Sequence, residues 1–154
     1  MSQQTFFELS GLDPSTRAEI GIWFDGASRG NGQPGARASI GGVVRDLTTG
    51  ELLAEVSQCI GEETNNVAEY AALLATVEAA VAFPARRLVI SGDSALVINQ
   101  LLGKWTVKAQ HLLPLLRAAR AALAGYESVE FIHVLRDKNR EADALANAAL
   151  DSAV

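Results

Sequence analysis

The sequence predicts an α/β domain: a five-stranded mixed sheet with helices on both faces. Three observations lead there. Residues 19–60 hold three short β-rich runs joined by turn signals, which read as an antiparallel meander. From Val67 the apolar period lengthens to that of a helix, and βα units follow. The order βββαβααβα therefore joins a meander to parallel crossover units, an arrangement that buries its sheet under helices on each side. At 154 residues the chain suits one domain around one core.

The elements are justified in turn. Residues 1–18 are polar apart from Phe6, Phe7, Leu9 and Leu12 and read as an N-terminal extension, with the folded domain expected over 19–151. Residues 19–25 alternate and run into a glycine-rich turn, as a first strand would. Residues 38–46 and 51–60 flank Leu47-Thr48-Thr49-Gly50, a hairpin signal with glycine in the turn. Val67, Tyr70, Ala71, Leu74, Val77 and Val81 recur at helical spacing and stop before Pro84. A β-rich run at 86–93 precedes a short amphipathic helix. A Leu/Ala-rich helix spans about 111–124 and stops at Gly125. A strand at 129–135 and a helix at 139–151 close the chain.

Composition removes several classes. Hydrophobic residues make up 49%, which excludes intrinsic disorder. The first ten residues lack a basic segment followed by an apolar one, and Glu78 interrupts the longest apolar stretch well short of a membrane span. A cytoplasmic protein with no membrane partner is expected, and a monomer. Cys59 is alone, so no intrachain disulfide or cysteine-based zinc site forms, and it reads as a small buried hydrophobe. A net charge of −5 argues against a broadly basic nucleic-acid face. It does not argue against a nuclease, because clustered acids offset by bound cations contribute to that charge.

Asp25, Glu69, Asp93 and Asp143 each stand where a strand or loop gives way to the next element. Carboxylates gathered at one edge of an α/β sheet hold hard divalent cations such as magnesium. Two such ions can clamp a scissile phosphodiester. A crossover through residues 67–82 makes the strand ending at Asp93 parallel to one in the meander. Sites form beyond the carboxyl ends of such strands, so Asp25 and Asp93 are expected to meet. Each acid also has a local explanation. Asp25 can bond turn amides, Asn66 can be an N-cap with Glu69 at N3, and Asp93 can cap the helix after it. Glu141 and Asp143 can be first-turn acids that complement a helix dipole. The coincidence of all four with one topology favours a site.

The blocks DGASRGNG (25–32), TNNVAEYAAL (64–73), GDSALVINQL (92–101) and NREADALA (139–146) occur in that order. Over roughly residues 19–151 the chain resembles type 1 ribonuclease H, in a short form without basic protrusion or hybrid-binding domain. The resemblance implies a ribonuclease H-like fold. It also implies cleavage of the RNA strand of RNA–DNA hybrids with two magnesium ions, leaving 3′-hydroxyl and 5′-phosphate ends; manganese is a possible substitute. It carries over Asp25, Glu69, Asp93 and Asp143 as catalytic, metal-binding carboxylates, with Asp25 bridging both ions. One ion would generate the nucleophile and the other stabilise the leaving oxygen. Asn31, Asn65 and Asn66 match positions that read the minor groove and 2′-hydroxyls, and Thr64 matches one that contacts a DNA phosphate.

The chain departs from the family pattern in three places. The mobile loop that carries a Gly-His pair in many members is shortened to residues 134–139, leaving Arg136 as the nearest catalytic substitute. An arginine offers electrostatic help but no proton shuttle. Ala95 follows Asp93-Ser94 where a glutamine commonly contacts substrate. Gly103–Lys108 replaces the basic protrusion, and there Trp105 and Lys108 read either as a platform for a sugar or base with phosphate contacts, or as a solvated loop with the indole tucked on the core. His133 reads as a mid-strand structural histidine, and His111 as a capping or surface residue. Two rival functions stand beside this one: a nuclease of the same fold acting on DNA or structured RNA, and a binding module with a dead site.

Overall fold

Local chemistry sets the first hairpin. In a computed structural model describing residues 15–31 and 33–152, strands β1 (Arg17–Arg29), β2 (Arg37–Asp46) and β3 (Leu52–Gly61) form an antiparallel meander. Asp46 Oδ1 accepts from the amides of Thr48 and Thr49 at 2.8 and 3.2 Å, and Gly50 at φ +79° closes the turn onto the Asp46 carbonyl. A left-handed φ of that kind is what glycine supplies without strain. At its other end β1 begins at Arg17, two residues before the expected start, where the Arg17 guanidinium pairs with Asp46 at 3.0 Å. The expected extension with Phe6, Phe7, Leu9 and Leu12 lies almost wholly outside the described residues.

Helix α1 (Asn65–Ala80) crosses to β4 (Ala85–Gly92), and α2 (Ala95–Leu101) and α3 (Leu113–Leu123) lead to β5 (Ser128–His133) before α4 (Arg140–Ser152). Short 3₁₀ turns at Gln110–Leu112 and Arg136–Lys138 precede α3 and α4. The sheet order is β3-β2-β1-β4-β5, with β4 parallel to both its neighbours. The mixed sheet expected from the sequence is therefore formed. The expected last strand ends two residues early, because the chain leaves β5 after His133 for the turn that leads into α4.

Two adjacent glycines show that helices cover opposite faces. A Cβ on Gly42 would overlap Thr76 of α1, and one on Gly41 would overlap the Ala142 and Ala146 backbone of α4. Successive strand residues point to opposite sides, so the sheet is sandwiched at β2. On the α1 side Ile20, Ile22 and Phe24 pack with Tyr70, Leu73 and Ile90, all fully buried. Burial of such side chains contributes about 1.5–3 kcal/mol each. On the other side Ser39 and Ser57 hydroxyls donate to the Ala146 and Leu145 carbonyls, and Arg45 pairs with Glu141 at 2.7 Å. These contacts fix α4, and with it Asp143. Cys59 sits half-buried rather than buried, because β3 is an edge strand. Among the described residues no helix is long and apolar enough to cross a membrane.

Candidate metal centre

The parallel ladder between β1 and β4 ends at the pair Phe24–Gly92. Asp25 and Asp93 are the next residues on each strand, so the point where the strands part carries two carboxylates, as the topology predicts. Glu69 reaches them from α1. The carboxylate oxygens of Asp25, Glu69 and Asp93 lie within 4.8 Å of one another. Asp143, in the first turn of α4, faces Asp25 across a cleft of about 540 Å³ that all four acids line.

Glycine makes this approach possible. A Cβ on Gly26 would run into the Ala68–Glu69 backbone, so only glycine lets α1 come this close to β1. Its amide also donates to the Glu69 carboxylate. Gly26→Ala is therefore expected to push Glu69 away from Asp25. Overpacking of this kind costs roughly 1–3 kcal/mol. A melting curve should show the loss, and activity should fall further than that loss of folded protein explains. Wild-type turnover in the variant would show that the Asp25–Glu69 spacing is not critical.

Two of the local explanations for the acids are corrected by the caps, while Glu141 and Asp143 do lie in a first helical turn. Thr64, not Asn66, is the N-cap of α1, its hydroxyl accepting from the Val67 amide at 3.2 Å. Glu69 then falls in the second turn, beyond reach of a capping-box role. Ser94, not Asp93, caps α2 by accepting from Val97 at 3.2 Å. Both carboxylates are thereby released from helix capping to face the cleft. Glu141 is occupied by Arg45, whereas Asp143 lines the cleft.

Electrostatics makes the cluster a candidate cation site. Burial, followed by the Asp93 charge, raises Asp25 from its ordinary 3.8 to about 7. Burial, followed by Asp25 and Asp93, pushes Glu69 well above the usual carboxylate range. Glu69 Oε2 is buried with no hydrogen-bond donor. An all-oxygen set of hard ligands, crowded together with an acceptor left over, fits a hard divalent cation and would be poorly stable without one.

Two amides that the sequence reading passed over complete the site. Asn139, 1% exposed, donates from Nδ2 to the Phe24 carbonyl at 2.9 Å and to Asp93 Oδ2 at 3.3 Å. Asn147 Nδ2 donates to the Asp143 carbonyl and Oδ1 at 3.0 and 3.2 Å. The one available signal for Asn147 was its i+4 spacing from Asp143, which places both on one helix face.

The other candidates distribute around the cleft. Asn65, Asn66 and Arg136 line it. Asn31, at φ +42°, accepts from the Asn65 amide through Oδ1 at 2.9 Å and so ties two loops together rather than entering the cleft. Thr64 sits at the flank with its oxygen committed as an acceptor. Trp105 and Lys108 line a neighbouring cavity of about 530 Å³, which Asn66 also borders. The indole is 49% exposed, so it is not tucked on the core. His133 is not mid-strand but ends β5, exposed, with Nε2 3.3 Å from the Asp93 carbonyl. His111 is exposed in the turn before α3.

Comparison with known proteins gives one consistent answer. Residues 24–149 match the family model described as reverse transcriptase-like. The chain is 42% identical to ribonuclease HI of Halobacterium salinarum over 92% of its own length and 69% of that protein. The crystal structure of RNase H1 from that archaeon superposes with a TM-score of 0.82 at 42% identity, covering 88% of this chain and all of that one. The N-terminal RNase H domain of a bifunctional Mycobacterium tuberculosis protein, solved as a fusion with maltose-binding protein, gives 0.81 at 40% identity, over 87% of this chain and all of that one. LC11-RNase H1 in complex with an RNA/DNA hybrid gives 0.78 at 34% identity, over 87% of this chain and 98% of that one. Sequence, fold and the clustered carboxylates agree that this chain belongs to the type 1 ribonuclease H family of nucleases.

Proposed function

We propose that this chain hydrolyses the RNA strand of RNA–DNA hybrids with two magnesium ions, for which manganese can substitute, leaving 3′-hydroxyl and 5′-phosphate ends. The observation that carries this reading is the cluster of Asp25, Glu69 and Asp93 oxygens within 4.8 Å, with Glu69 Oε2 lacking a donor. A relative of the same fold crystallised with an RNA/DNA hybrid supports the substrate class. Bound divalent ions supply the Lewis acidity that activates water and steadies the leaving oxygen.

The chain's own residues do the rest. Asp25, between Glu69 and Asp143, is the shared ligand. Asn65 and Asn66 border the acids and are placed to test for a 2′-hydroxyl, the group that separates RNA from DNA. Trp105 and Lys108, reached past Asn66, offer a stacking surface and a cation to the strand beyond the cut. The catalytic unit spans residues 19–151.

Arg136 lines the cleft with no ion-pair partner among the described residues. A fixed guanidinium there offsets charge on the scissile or departing phosphate. Arg136→Ala is expected to lower turnover roughly ten- to a thousand-fold, at or below the loss of one oxyanion donor. Arg136→Lys should recover only part, lacking the planar fork. Steady-state kinetics at saturating hybrid decides it, and unchanged kcat in the alanine variant removes Arg136 from the mechanism.

The function itself is tested by supplying hybrid, duplex DNA and duplex RNA, each with magnesium. Cutting confined to the RNA of the hybrid is the expected outcome. Cutting of either duplex would favour the rival nuclease, and binding without cutting would favour the dead-site module.

A further inference from the structure

Asn139 spends both of its amide hydrogens on the metal centre. Where β1 and β4 part, the Phe24 carbonyl comes free at the last ladder pair, and Asn139 Nδ2 donates to it at 2.9 Å. The same nitrogen lies 3.3 Å from Asp93 Oδ2. Both partners are acceptors, so the amide orientation is fixed by chemistry: the flipped form would set oxygen against oxygen. The Asn139 main-chain carbonyl meanwhile accepts from the Asp143 amide at 3.0 Å and starts α4. One residue thus touches Asp93, the residue before Asp25, and the backbone of Asp143.

The remaining atom of the side chain is informative. Asn139 Oδ1 is buried without a hydrogen-bond partner. An unsatisfied buried acceptor is unfavourable, and an apolar residue of similar volume would avoid it. What the asparagine provides in exchange is the pair of donations. Asn147 cannot replace it, because that amide is bonded within α4 and reaches Asp143 alone.

We infer that Asn139 is a positioning residue that sets the separation of Asp25 and Asp93 and selects which Asp93 oxygen faces a divalent cation. With Oδ2 held by the amide, Oδ1 is the oxygen left to point at the ion. Partners of this kind, one step removed from the ligands, govern metal affinity in many sites. This inference rests on the proposed metal-dependent reading of the same cluster.

The test is calorimetric titration of Mg²⁺ and Mn²⁺ into the full chain without nucleic acid. The proteins are the unsubstituted chain, Asn139→Leu, Asn139→Ser and, as a control, Arg17→Ala. Asn139→Leu keeps the branched heavy-atom shape and removes both donations, while Asn139→Ser keeps a hydroxyl able to serve one acceptor. Should the leucine variant not fold, the serine variant carries the measurement. Metal binding is expected to weaken roughly ten- to a hundred-fold in Asn139→Leu and less in Asn139→Ser. With hybrid present, kcat should fall and recover partly as magnesium is raised, with KM for the hybrid unmoved. Arg17→Ala removes the 3.0 Å pair with Asp46 at the far end of β1 and should lower the melting temperature without altering metal affinity. Binding as tight as in the unsubstituted chain, in a folded Asn139 variant of reduced melting temperature, would assign the residue a purely structural role and overturn the inference. No metal binding by the unsubstituted chain would instead refute the underlying metal site.

Discussion

Asp25→Asn is expected to abolish hybrid cleavage while raising the melting temperature of chelator-treated protein at neutral pH. Cleavage stops because Asp25 stands between Glu69 and Asp143 and no neighbouring carboxylate can take its place. Stability rises because the same position is where carboxylate charge is most strongly opposed. The folded-state values of Asp25 and Glu69 are raised, so the folded chain retains protons that the unfolded chain has released. Its stability is then fully present below the unfolded values near 4 and declines as pH rises toward about 7, where Asp25 must ionise. Melting curves of the chelated protein between pH 4.5 and 7.5, a range chosen to bracket roughly that window, should fall with pH. The asparagine variant should be flatter, and magnesium should flatten the unsubstituted chain. A variant that still cuts at any magnesium concentration removes Asp25 as the shared ligand. A melting temperature that rises with pH removes the repulsion argument.

A hybrid whose RNA strand carries a tract of 2′-deoxy residues should resist cutting within that tract and remain cleavable outside it. Asn65 and Asn66 border the four acids, and the 2′-hydroxyl contacts proposed for them would be lost in the tract. Sites that hydrogen-bond a substrate hydroxyl reject the analogue that lacks it by large factors, because their buried polar groups are left unpaired. Asn31 contributes differently. Its Oδ1 is held by the Asn65 amide, so it steadies the loop that presents Asn65 and Asn66, with only its NH₂ free. Mapping the cut ends on a denaturing gel decides the matter, and equal cutting inside and outside the tract would mean that the cleft does not read sugars.

Much of this molecule follows from local sequence. The turn at Thr48–Gly50, the alternation through Ile20, Ile22 and Phe24, and the helical period from Val67 are short-range patterns, and short-range patterns fix strands and helices to within a few residues. The four acids were legible too, through their motifs and through a crossover that had to bring Asp93 beside Asp25.

What only the tertiary structure decided is which polar group answers which. Thr64 and Ser94 take the caps in place of Asn66 and Asp93, a shift of one or two residues that determines whether a carboxylate is spent on its own helix or offered to the cleft. His133 lies at a strand end because the chain turns there to start α4, and Trp105 stands half-exposed along a cavity it shares with Asn66 and Lys108. Asn139 is the clearest case. Its two acceptors lie 115 and 46 residues away along the chain. Hydrogen-bond partners at that separation are set by where strands part and helices dock, and no local spacing of residues encodes them.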